Sequence, residues 1–150
     1  MKNWYESKSV LNQIPRNQFQ KTDLKTFLTN YPLDGSGHII DINSNDNDLS
    51  IILFYDTAKG LDSKLSKHQS KTYILILHFP EVTSLQINWH PETNLPFSEI
   101  YFEEEISPDS DLFTTKIAST LGHEMKIVHT KELFVLMTDL DGKYIRLKKL

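Results

Sequence analysis

The chain has 150 residues, enough for one domain that buries about 68–70% of its unfolded surface. Hydrophobic content of 39%, aromatic content of 11% and charged content of 24% describe a globule with a core and argue against disorder. The absence of cysteine excludes disulfides, cysteine nucleophiles and thiolate zinc sites, and a net charge of -4 lacks the basic surplus of a nucleic-acid binder.

The opening residues, MKNWYESKSV, contain no apolar core of a secretory signal, and no apolar run approaches the ~18 residues of a membrane span. A cytoplasmic chain without membrane contact is the expectation. An early helical turn is expected around Trp4, Leu11 and Ile14, ending before Pro15. Leu24, Phe27 and Leu28 then recur at helical spacing, with Thr22 or Asp23 as N-cap and with Asn30 and Pro32 closing the segment.

From His38 onward the period changes from helical to two. Short runs rich in Ile, Leu, Val, Phe, Tyr and Thr predict strands over His38–Asn43, Leu49–Asp56, Thr72–Phe79 and Ser84–Asn88. Further strands follow over Ser98–Glu104, Phe113–Ala118, Met125–His129, Leu133–Thr138 and Lys143–Leu147. Leu49–Tyr55 and Tyr73–Phe79 are apolar on both faces, as central strands are. Phe113, Ile117 and Leu121 also suit a helix, but the Thr pair and Gly122 favour a strand. Asp141-Gly142 predicts a two-residue type I′ turn that pairs Thr138 with Ile145 and puts Leu136, Ile145 and Leu147 on one apolar face. Asn43–Asp48 reads as a polar hairpin connection, and Ala58–Lys71 as a longer, lysine-bearing loop. The expected fold class is therefore α+β: one domain over 1–150, with a helical lead-in over 1–32 and an antiparallel β meander over 38–148.

Charge is distributed unevenly along this pattern. Between Lys71 and Lys116 no Lys or Arg occurs, while eight acids do: Glu81, Glu92, Glu99, Glu103, Glu104, Glu105, Asp109 and Asp111. Six of them fall within Glu99–Asp111. A run without countercharge attracts basic partners and repels nucleic acid. Trp89, Phe97 and Tyr101 lie in the same stretch and are candidate anchors for a protein partner. The competing reading is a solvated acidic surface that protects strand edges.

Motifs for chemistry are weak. His123 and His129 are six residues apart, so on a helix their rings diverge and on a strand they stand roughly 20 Å apart, which excludes shared chelation of zinc and leaves two solvent-edge histidines. Asp41–Asp48 is oxygen-rich, yet Asp46 and Ile52 occupy the positions where an EF-hand requires Gly and Glu. Gly35-Ser-Gly37 precedes a strand and so lacks the helix N-terminus of a phosphate loop. No Ser, His and Asp can be grouped by spacing, and His78 in its apolar strand reads as a satisfied core histidine. No metal or cofactor is expected. A site assembled from dispersed residues, His78, His90 or His123 with an acid, is the enzymatic or ligand-binding alternative. A homo-oligomer covering its own apolar edge is a third possibility.

Several stretches resemble small β-rich immunity proteins of bacterial polymorphic-toxin systems. They are the Gly37-His38 entry, "DLSIILFYD" at Asp48–Asp56, "LHFPEVTSLQIN" at Leu77–Asn88 and the acid-rich "SEIYFEEE" at Ser98–Glu105. The similarity covers residues 33–138 and rests on packing patterns, with Ile39 standing where that family often carries an acid. The resemblance implies a cytoplasmic, non-enzymatic inhibitor that masks the active site of a basic toxin domain. Glu99, Tyr101, Glu103, Glu104, Glu105, Asp109, Asp111, Trp89 and Phe97 would make the contact.

Overall fold

The computed structural model describes residues 14–31, 37–56, 72–88, 98–106, 111–119, 123–148 and 150. The expected turn at Trp4 and Leu11 and the Ala58–Lys71 loop lie outside them. Among the described residues no helix is long and apolar enough to cross a membrane.

Helix α1 spans Leu24–Asn30 and begins where expected. Asp23 is its N-cap: one carboxylate oxygen accepts the Thr26 amide at 2.8 Å and the other accepts the Thr26 hydroxyl at 3.0 Å. Leu24 and Phe27 are buried by this turn of helix, and Leu28 packs partly against the same core.

All strands belong to one antiparallel sheet. They are β1 (Gln20–Thr22), β2 (Gly37–Asn45), β3 (Asp48–Asp56), β4 (Thr72–Phe79), β5 (Ser84–Asn88), β6 (Ser98–Ile106), β7 (Phe113–Ser119), β8 (Glu124–His129), β9 (Leu133–Thr138) and β10 (Tyr144–Ile145). The order across the sheet is β1-β9-β4-β3-β2-β6-β7-β8-β5, and β10 also pairs with β9. Two meanders, β2-β3-β4 and β6-β7-β8, are thus joined by a short β2–β6 seam at Gly37–Ile100 and His38–Ser98. Two long-range steps complete the sheet: β5 leaves β4 to pair with β8, and β9 returns to pair with β4.

The seam lets the sheet fold over on itself. Leu53, Leu75, Leu77, Phe79 and Val135 from one half share a core with Ile117, Met125 and Ile127 from the other, with Leu24 and Phe27 of α1 included. The opposite face of β3, β4 and β9 carries a second apolar cluster of Ile52, Ile74, Ile76 and Leu136, packed by Ile14 and Phe19. Burial on both faces explains why β3 and β4 read as near-continuous apolar runs. Each fully buried Leu or Ile there contributes about 1.5–3 kcal/mol.

The final hairpin differs from the two-residue turn expected. Asp139 donates its amide to Lys143 O at 3.0 Å and accepts the Gly142 amide at 3.1 Å, which encloses three residues, Leu140, Asp141 and Gly142. Gly142 has φ 87 and Asp141 has no positive φ, the pattern of a three-residue loop closed by a left-handed glycine. Asp139 Oδ1 accepts the Asp141 and Lys143 amides as well, which stabilises the wider turn. The extra residue shifts the register by one, so Thr138 faces Tyr144 and Met137 faces Ile145. Leu136 consequently joins the second cluster, while Ile145 and Leu147 pack on the first. Beyond Ile145 the chain is held by side chains instead of a ladder: Gln20 exchanges bonds with Leu147 (2.8 and 2.9 Å), and the Tyr31 hydroxyl with Lys148 (2.8 and 3.0 Å).

Candidate functional site

The acidic segment becomes the middle of the curved sheet. Strand β6 pairs with β7 so that Tyr101, Glu103 and Glu105 stand opposite Ala118, Lys116 and Thr114. Phe102 and Glu104 alternate with them, opposite the buried Ile117 and Thr115. Tyr101, Glu103 and Glu105 therefore share one register row of β6, and Phe102 and Glu104 the other. Glu99 is the extra residue where the β2–β6 register shifts. Asp111 is exposed ahead of β7. Trp89, Phe97 and Asp109 lie outside the described residues.

Pairing also brings cations to the acidic run. Lys116 faces Glu103 on one side and Lys126 on the other. Glu124 reaches both lysines, at 3.3 and 3.7 Å, which relieves their mutual repulsion. With Lys116 in register against it, the acidic run is not the one-signed field that the linear spacing suggests.

A second cluster was invisible to residue spacing. Ser50 of β3 and His78 of β4 are directly opposed, and Ser50 Oγ lies 2.8 Å from His78 Nδ1. Asp48 Oδ2 lies 3.3 Å from His78 Nε2, and Asp48 Oδ1 accepts the Glu81 amide at 3.2 Å. Phe19 and Phe134 rings flank His78 at 6.0 and 6.3 Å. Burial lowers the His78 pKa from the ordinary 6.5; Asp48 opposes this shift and the Arg16 charge adds to it. A neutral ring that donates from Nε2 to Asp48 accepts the Ser50 hydroxyl at Nδ1. Nucleophile, base and orienting acid are therefore all in contact. Ser50, however, is mid-strand with β2 and β4 paired on either side, so its amide belongs to the ladder. The cluster is best read as a satisfied polar network at the end of an apolar face.

His123 and His129 are not at the solvent edge: each is 1% exposed. His129 Nδ1 lies 2.6 Å from the Thr130 carbonyl, an acceptor only, so Nδ1 carries the proton. Nε2 then accepts from the Thr115 hydroxyl at 2.6 Å. Burial lowers the His129 pKa, with the Thr130 bond opposing, and the Phe79 ring packs edge-on at 4.8 Å. His129 is a core residue with both ring nitrogens hydrogen-bonded. Among the described residues no three His, Asp or Glu side chains converge as metal ligands.

The missed contacts share one cause. His78 was visible as a polar residue in an apolar strand, and Asp48 and Ser50 as alternating polar positions. Their meeting depends on the β3–β4 register, which the long connection between those strands leaves open in the sequence. Comparisons with protein-family models, with curated proteins and with solved structures find no match to this chain.

Proposed function

We propose that this chain is a non-enzymatic cytoplasmic binding protein, an immunity protein that neutralises a basic toxin domain by laying an acidic, aromatic strand over its active site. One observation carries the reading: Tyr101, Glu103 and Glu105 share one register row of β6, alternating with Phe102, which packs against the core. A tyrosine between carboxylates joins a low-entropy anchor to electrostatic steering. Phe102 ties the strand to the core.

Co-expression supplies the test. The gene's neighbour should encode a secreted protein ending in a basic domain, and this chain should restore growth to cells killed by that domain. The double variant Glu103→Lys, Glu105→Lys should fold with unchanged circular dichroism, slow association at least tenfold and lose protection. Failure of the wild-type chain to protect, or full protection by the double variant, would remove the proposal.

A further inference from the structure

We propose that β5 is a self-association edge, by which two copies of this chain pair antiparallel about a two-fold axis through Gln86. Strand β5 ends the sheet and pairs with β8 alone among the described strands. All five of its residues are exposed. It carries no charge, no proline and no bulge, the devices that normally block edge pairing. The opposite edge is guarded: β1 is three residues long, and its Lys21 forms an exposed ion pair with Glu132 at 2.6 Å.

The apolar side chains of β5 sit on an unexpected face. Leu85 pairs with Ile127 and Ile87 with Met125, so both continue core-facing rows. Met125 and Ile127 are fully buried, yet Leu85 is 39% and Ile87 44% exposed. The core row thus runs off the edge of the sheet. A two-fold axis through Gln86 places Ile87 opposite the partner's Leu85 on that same face, and Ser84 opposite the partner's Asn88. Each row then continues from one copy into the other, covering four apolar side chains.

The occupant follows from charge and symmetry. Two copies of a chain with net charge -4 repel, and they approach at least cost where neither carries charge. A five-residue strand with a polar centre and apolar flanks is its own complement in antiparallel register. Five residues a side cover less than the ~800 Å² per partner of a standard interface, so pairing is weak and concentration-dependent.

The absence of native cysteine makes the register directly testable. In the two-fold pair, Gln86 Cα atoms stand about 4.5–5.5 Å apart, within the ~4.4–6.8 Å range that a disulfide spans. Ser84 Cα atoms are separated by about 13 Å. Gln86→Cys should therefore cross-link under mild oxidation at least tenfold faster than Ser84→Cys. Sedimentation velocity of the wild type should show a monomer–dimer equilibrium as concentration rises. Ile87→Lys, at a half-exposed site, should raise its dissociation constant at least tenfold while keeping the thermal midpoint of the monomer. A chain that stays monomeric throughout, or equal cross-linking at the two cysteine positions, overturns the proposal. Neither readout involves the basic partner, so it stands or falls independently of the function proposed above.

Discussion

At the scale of single residues, buried polar groups among the described residues form hydrogen bonds that are breakable in defined ways. The Thr115 hydroxyl, fully buried, is the donor to His129 Nε2. Thr115→Val keeps the shape and removes that donor, leaving a buried acceptor without its partner, at a cost of about 1–3 kcal/mol. Urea denaturation measures the loss, and an unchanged midpoint would show that the bond carries no stability. The histidines also set a pH dependence. Burial lowers the pKa of both His78 and His129 below the ordinary 6.5, so between the native and unfolded values the unfolded chain binds more protons. Stability is therefore complete above about pH 6.5 and falls as pH drops through the depressed native values. Denaturation at pH 7.5 and pH 5 should show this fall, and His129→Gln should make it shallower. The Thr115–His129 bond was beyond the sequence because its hydroxyl comes from β7, fourteen residues away.

At the scale of elements, local chemistry and local structure agree closely. The Asp23 cap, the start of α1 and the bounds of β4, β5 and β9 coincide with the expected positions, since capping residues and period-two runs act over a few neighbours. The ambiguous segment after Phe113 is strand through Ser119, its Ile117 in the core beside Met125. Departures arise where one residue changes the count. In β2, Ile40 is an extra residue against β3, so Ile39 packs on the first cluster and Ile40 on the second. In the last hairpin, Asp139 recruits two additional amides and widens the turn by a residue. Gly142 still occupies the left-handed position there. Gly142→Val should cost about 1–2 kcal/mol by placing a β-branched residue at positive φ. Thermal denaturation checks it, and an unchanged midpoint would rule out the turn described.

At the scale of the whole molecule, curvature decides which charges meet. Glu103 and Glu105 fall in one register row of β6, Glu104 in the other and Glu99 at the register shift, with Lys116 paired to Glu103 and Lys126 paired to Lys116. The same curvature ends the core row at β5 and leaves Leu85 and Ile87 exposed. The amino-acid order alone established the antiparallel β class, the capped helix and nearly every strand, because those depend on alternation and turn formers within about ten residues. It also located the acids and aromatics. The fold alone determined that β5 joins β8, that β9 joins β4, that Ser50 meets His78 and Asp48, and that both C-terminal histidines are buried. Those contacts join residues from distant parts of the chain. Their selection depends on the summed burial of two sheet halves folding together, and loop closure leaves no local trace of it in the residues concerned.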